Sequence, residues 1–321
     1  MTNTQYVKGK VSVIIPTYKR SDKLSRAVDS VINQTYNNIE VIIVDDNIHG
    51  DEYSQQLHNY FKSITDIRVR LITQNEHING AAARNAGIRA ADGEFITFLD
   101  DDDWIEPVKF EHQLRYLESK GDAWGAVSCL ARSYKNGRLS KVNLPYKEGY
   151  LSKEVISRRI RIGTSSPLLR RTALDSSGYF DERLKRMQDI QLFAEFCNRH
   201  SMCLLKEYLY NRDIDDKSNQ PSIQRLVETK NAFFDSISEV MNSFTKNEQK
   251  RIYAMTKFDM AYNYWNAGEK KTAINNALTV LRDPIATIYA IKRIIDRFRE
   301  VKLRNYYNKK YGDKNHDNQS L

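Results

Sequence analysis

Short apolar, β-branched runs alternate with helically spaced segments in the first hundred residues, and three of those runs break off at a polar or acidic cluster. Val-Ser-Val-Ile-Ile at 11–15 stops at Pro16. Ile-Glu-Val-Ile-Ile-Val at 39–44 runs into Asp45, Asp46 and Asn47. Phe-Ile-Thr-Phe-Leu at 95–99 runs into four consecutive aspartates, Asp100 to Asp103, and then Trp104. Between them, Leu24, Ala27, Val28, Val31 and Ile32 have helical spacing, with Ser21 or Asp22 as the expected cap. A helix is predicted around 53–61 and a strand at 69–72. The Ala-rich segment 79–87 leads into a helix that stops at Asp92-Gly93. Strand and helix thus alternate four times, which predicts a parallel α/β sheet with right-handed crossovers. Such sheets take ligands beyond the carboxyl ends of their strands. Residues 16–18, 45–47 and 100–103 are expected to gather there.

Carboxylates crowded as closely as Asp100 to Asp103 repel one another unless a cation neutralises them or some are protonated. Hard oxygen donors in that position suit Mg²⁺ or Mn²⁺ shared with substrate phosphates. A solvated acidic turn that caps the next helix is the plainer reading. The convergence of the three strand ends favours the metal–phosphate one.

At 321 residues, 40% hydrophobic and 28% charged, the chain has the composition of a globular protein with more than one folded unit. No apolar stretch is long enough to cross a bilayer and the N-terminus is polar, so a cytoplasmic location is expected. Cys129, Cys197 and Cys203 have no metal-ligand spacing and read as buried, reduced thiols. Residues 106–205 are less regular, with helices predicted at 107–120 and 188–197 and strands at 124–131 and within 162–170. From about 222 the pattern is helical. Residues 255–281 look like a helix–turn–helix hairpin of tetratricopeptide type, closed by Pro284.

The segments Val-Ser-Val-Ile-Ile-Pro-Thr-Tyr, Val-Asp-Asp-Asn, Ala-Arg-Asn-Ala-Gly and Phe-Leu-Asp-Asp-Asp-Asp-Trp, in this order and spacing, resemble family 2 glycosyltransferases with the GT-A fold. The resemblance covers roughly 10–220. It implies a Rossmann-like α/β fold: a mixed, mostly parallel sheet with helices on both faces, followed by a C-terminal helical segment. The expected organisation is a catalytic domain at 1–220, with a nucleotide-sugar half to about 105 and an acceptor half from about 106. A helical region at 221–321 follows. The implied reaction is inverting sugar transfer from a nucleotide diphosphate sugar, UDP being the common nucleotide, with Mn²⁺ or Mg²⁺.

Carried to matching positions, the resemblance places Pro16, Thr17 and Tyr18 on the nucleotide pocket and Asp46, in preference to Asp45, on the base edge. Asp100 falls near the ribose or a metal-bound water, Asp102 on the metal, and Asp101 between them on the nucleotide-sugar side with no separate role. Asp103 is expected to cap the following helix or to bond backbone. Arg84 reads either as a contact to the diphosphate or as a strut for its own segment. Asp189 resembles the general base, with Gln188 where relatives more often carry Glu. Residues 163–167 resemble the loop before the acceptor strand. The stretch Tyr210-Asn-Arg-Asp-Ile-Asp-Asp lacks the histidine many relatives carry; Asp213 and Asp215 read as solvated loop acids, with a substitute oxygen ligand as the alternative.

The net charge of +9 draws heavily on the last third. Over 285–311, Ile288, Ile291, Ile294, Ile295, Phe298 and Val301 recur near helical spacing among many Lys and Arg. Two readings stand: a cationic amphipathic helix on an anionic membrane surface, at the inner face of the plasma membrane, or a helix packed on the protein. The former suits a glycan or polyprenyl-linked acceptor. No nucleic-acid-binding module accompanies the charge. A nucleotidyltransferase on a similar sheet, or a non-catalytic partner subunit, is the competing function. The absent glycine-rich phosphate loop argues against the first, and intact Asp100, Asp102 and Asp189 against the second.

Overall fold

The computed structural model describes residues 6–19, 23–215 and 222–311; the expected helix caps Ser21 and Asp22 lie outside them. The chain packs as two compact units. The first comprises residues to Ala131 with Lys147–Ser152 and Ile162–Arg212. The second comprises Arg132–Tyr146, Lys153–Arg161 and the chain from Asp213 onward.

In the first unit the strand–helix alternation appears as β1 (Val7–Thr17), α1 (Leu24–Ile32), β2 (Ile39–Asp45), α2 (Glu52–Ser63), β3 (Val69–Thr73), α3 (Gly80–Ala90) and β4 (Gly93–Phe98). Farther along the chain come β5 (Trp104–Ile105), α4 (Lys109–Lys120), β6 (Trp124–Lys135), β7 (Arg138–Val142), α5 (Ser152–Ile156), β8 (Leu168–Arg170), α6 (Arg171–Ser177), α7 (Gln188–Arg199) and β9 (Ser201–Asp213), of which β7 and most of α5 belong to the second unit. Among the described residues the strands form one sheet ordered β3-β2-β1-β4-β8-β6-β9-β5, with β7 paired to β6. The sheet is parallel from β3 to β4 and antiparallel where β8 meets β4 and β6, and where β9 meets β5.

Strand alternation divides the core. Val11, Val13, Ile15, Val41 and Ile43 pack with Leu24, Val28 and Val31 of α1, Leu57 of α2 and Phe110, Leu114 and Leu117 of α4. Ile14 and Val44 face the other way and carry α3. A Cβ on Gly87 would lie 2.3 Å from Ile14 Cγ2 and 3.2 Å from Val44 Cγ2. Arg171 closes the far end of that helix, its buried Nη1 donating to the carbonyls of Ile88 (3.0 Å) and Ala91 (3.2 Å). All three cysteines are buried and unbridged.

The second unit is mainly α8 (Ile223–Ser236), α9 (Ser238–Asn242), α10 (Lys246–Asn266), α11 (Lys270–Leu278) and α12 (Pro284–Tyr311). Thr245 and Glu248 form a reciprocal capping box at the start of α10. The expected hairpin is present as α10 and α11, turning at Gly268 with φ 85°. Met255, Val280, Ala286 and Ala290 bury its small core, while Ile288, Ile291, Ile295 and Phe298 of α12 face solvent, Phe298 being 72% exposed. No helix among the described residues is long and apolar enough to cross a membrane.

Candidate active site

Strand register builds the first half of the site. Thr17 pairs with Asp45, and Asp45 with Thr73, so the residues that follow the three strands, Tyr18, Asp46 and Gln74, leave the sheet side by side. The Tyr18 ring stacks on His77 with centroids 3.9 Å apart and planes 12° from parallel. The buried Asp46 carboxylate accepts from Gln74 Nε2 at 2.8 Å and faces His77 Nδ1 at 3.1 Å. Burial pushes its pKa up, and the neighbouring His77 pulls it back. Asp45 is engaged in its own turn instead. Its Oδ1 accepts from the Asn47 amide (3.0 Å) and Nδ2 (2.8 Å), and its Oδ2 from Ser54 Oγ (2.8 Å). Pro16 is half-buried near the end of β1. Thr17 is buried, and its hydroxyl donates to Asp101 Oδ2 at 2.9 Å, joining the end of β1 to the aspartate run.

Within that run each carboxylate has a different setting. Asp100 Oδ1 accepts from Arg84 Nη2 at 2.5 Å, and the Asp100 amide donates to Ser165 Oγ at 3.2 Å. Arg84 therefore holds Asp100, while its Nη1 donates to the Gly80 carbonyl at 3.1 Å. The Asp102 backbone carbonyl accepts from Arg26 Nη2 at 2.5 Å, and the Arg26 guanidinium lies 4.1 Å from the Trp104 ring centroid. Asp103 does not cap α4, which begins at Lys109 after an uncapped Val108. It is buried and accepts from the Tyr210 hydroxyl. Burial first, then the charges of Asp100 and Asp102, raise its pKa well above the usual carboxylate range. Among the described residues no group of three or more His, Cys, Asp or Glu side chains is placed to hold a metal ion. The hard carboxylate donors at the strand end are of the type Mg²⁺ and Mn²⁺ accept, with phosphate and water completing the shell.

Asp189 is in the first turn of α7. The residue capping that helix is Met187, held at φ 64°, so Asp189 is not the cap. The loop before it is tied to α3. Asn79 caps α3 through Oδ1 on the amides of Ala81 (2.9 Å) and Ala82 (3.1 Å), while its Nδ2 donates to the Glu182 carbonyl at 2.7 Å. Asn85 exchanges two bonds with the Phe180 backbone, at 2.9 and 3.1 Å. Gln188 Nε2 donates to the Leu184 carbonyl (2.6 Å) and to Asn79 Oδ1 (3.3 Å), contacts that a glutamate, lacking the donor, cannot make.

The Tyr210 side chain, then the Asp103, Asp100 and Asp189 carboxylates, raise the pKa of Arg212, which is exposed near the end of β9. Tyr210 and Arg212 share a face of β9 by strand alternation. That parity was available in the sequence, whereas the His77 contact to Tyr18 was not. Gly163 lies against Tyr210, where a Cβ would come 2.9 Å from Cε1. Asp213 and Asp215 belong to the second unit. There Asp215 accepts from the Asn136 amide at 2.5 Å and donates its own amide to Asp213 at 3.1 Å. Asp216 lies outside the described residues.

A sequence model of glycosyl transferase family 2 matches residues 12–176, which takes in β1 to β4, the aspartate run and the Arg84 segment. The chain is a family 2 glycosyltransferase. Among relatives of this glycosyltransferase, the poly(ribitol-phosphate) beta-N-acetylglucosaminyltransferase TarP of Staphylococcus aureus is 26% identical over 283 residues, covering 84% of this chain and 83% of TarP. Three relatives matched at 30, 38 and 36% identity are covered over only 31, 42 and 42% of their own lengths. The structure of S. aureus TarS 1–349 in complex with UDP-GlcNAc is similar with a TM-score of 0.62 at 17% identity, over 83% of this chain and 79% of that one. A mannosyltransferase from Pyrobaculum calidifontis in complex with GDP-Man and Mn²⁺ is similar with a TM-score of 0.57 at 15% identity, over 96% of this chain and 87% of that one. At these identities the likeness shows the fold, GT-A-like.

Proposed function

We propose that the chain is an inverting, divalent-metal-dependent glycosyltransferase. It moves a sugar from a UDP-sugar to a hydroxyl of a glycan or polyprenyl-linked acceptor in surface polysaccharide synthesis. The arrangement that carries this reading is the row of strand ends, in which Asp46, Tyr18 and the aspartate run follow one another across β2, β1 and β4. With it goes the segment ahead of Asp189, tied to α3 through Asn79 and Asn85.

In this reading residues 1–220 form the catalytic part, with the nucleotide half to about 105. Tyr18 takes the face of the base and Asp46 accepts from its edge, with Pro16 lining the pocket. Thr17 and Asp101, bonded to each other, hold the strand end and the aspartate run in place. Arg84 fixes Asp100 on the ribose side, and Asp102, with Asp100, would hold Mg²⁺ or Mn²⁺. Such an ion, when bound, neutralises charge on the departing diphosphate. Asp189 removes the proton of the acceptor hydroxyl as that oxygen bonds to the anomeric carbon. The bond from that carbon to the diphosphate oxygen breaks on the opposite face, giving inversion. The solvent-facing Ile288, Ile291, Ile295 and Phe298 of α12, among Lys292, Arg299 and Lys302, suit an anionic membrane surface on the cytoplasmic side.

Binding of UDP, followed by calorimetry with and without Mn²⁺, tests the donor site. In the wild type Mn²⁺ should tighten binding, and Asp102→Ala should remove that enhancement. Equal enhancement in Asp102→Ala removes Asp102 from the metal.

A further inference from the structure

The described residues of the second unit bring several cationic side chains near one carboxylate. Arg158, after α5, Lys230 of α8 and Arg293 of α12 come together around one carboxylate, Asp259 of α10. Arg293 donates Nη2 to Asp259 Oδ1, and both side chains are about three-quarters buried. That pair accounts for one cation. Two further donors, Arg158 Nε and Arg293 Nη1, are buried with no protein acceptor. Lys230 feels the repulsion of Arg158 and Arg293 as well as its own burial, which together bring its pKa down to about 8 despite Asp259. Burying cations in excess of anions costs several kcal/mol per uncompensated charge.

The backbone at Arg158 sharpens the point. The Arg158 amide bonds the Val155 carbonyl at 3.0 Å, and the Arg159 amide bonds the Glu154 carbonyl at 2.9 Å. This is the left-handed ending that helices usually complete with glycine. Here an arginine occupies it, at φ 56°. A long side chain in that conformation is disfavoured. This one carries the buried, unpaired Nε.

We infer that Arg158, Lys230 and Arg293 form a binding site for a phosphate group, placed in the helical unit and separate from the proposed donor site. Phosphate supplies both the missing negative charge and several acceptor oxygens for the unpaired N–H groups, and guanidinium groups pair with it well. Because the proposed acceptor is a glycan or polyprenyl-linked molecule, a phosphate that the acceptor itself carries is one source. Free orthophosphate is the other. The site as such does not depend on the donor-site reading.

Binding of inorganic phosphate, measured by calorimetry and by the shift in Tm against chloride of equal ionic strength, tests the site on the full chain. The wild type should bind phosphate, and both Arg158→Gly and Lys230→Gln should weaken it by about tenfold or more. UDP affinity should stay unchanged in both variants. Arg158→Gly suits the φ of that residue, so without phosphate its Tm should equal or exceed that of the wild type. A phosphodiester probe such as glycerophosphoglycerol separates the sources. Binding as tight as that of phosphate points to an acceptor, and much weaker binding to the free ion. No phosphate-specific shift in the wild type, or an undiminished one in both variants, overturns the site.

Discussion

Lys109 lies wholly inside the first unit, with Nζ lacking a protein acceptor and standing 5.0 Å from the Phe110 ring centroid. Burial brings its pKa down to about 8, while the thiol of Cys129 beside it is pushed up to about 11. An ammonium whose folded pKa is depressed burdens the fold most below pH 8, where it is charged. Stability then rises with pH between about 8 and the unfolded value of about 10.5, where the unfolded chain binds the extra proton. Lys109→Met should therefore be more stable than the wild type at pH 7, by about 3 kcal/mol from the shift in pKa. The difference should shrink across pH 8 to 10.5 in denaturant titrations. Equal stability at all pH values contradicts the burial penalty. No sequence pattern marked Lys109, since burial of one end of a helix depends on how α4 meets the sheet. Asp45 was legible as a turn former, and its Oδ1 accepts from the Asn47 amide. Asp103 was not legible as a core residue. The Tyr210 that receives it lies over a hundred residues away, and only tertiary contact reveals the pairing.

At the scale of elements, α3 depends on Gly87 for its close approach to the sheet. A methyl group there meets Ile14 Cγ2 at 2.3 Å, well inside contact distance, and Ile14 is itself fully buried. Gly87→Ala should lower stability by roughly 1–3 kcal/mol in urea unfolding, despite alanine's better helix propensity. A more stable variant contradicts the packing. Through Asn79 and Asn85 the same helix also grips the 180–182 segment ahead of Asp189. The Ala-Arg-Asn-Ala-Gly motif thus ties α3 to that segment through Asn85. The strands and helices from 11 to 99 were readable because apolar period and punctuation agree there. The antiparallel strands were harder. The short β5 and β8 carry little periodicity, and their places are set by pairing with distant partners.

For the whole molecule, the sequence foretold a sheet with a helical C-terminal region. It did not foretell that residues 132–146 and 153–161 pack with those C-terminal helices, because such packing leaves no local signature. The exposed apolar row on α12 makes a claim at this scale. Ile291→Glu combined with Phe298→Glu should abolish cosedimentation with anionic vesicles in low salt and leave the fold intact by circular dichroism. Unchanged sedimentation rejects a membrane role for that face. The most direct test of the chemistry lies at Asp189, in the first turn of α7. With a donor that the wild type turns over, sugar transfer and UDP binding are measured in parallel for Asp189→Asn, which keeps the size of the side chain. If Asp189 removes the acceptor proton, transfer falls by about 10²-fold or more while UDP affinity stays at the wild-type value. Transfer at a near wild-type rate contradicts Asp189 as the base.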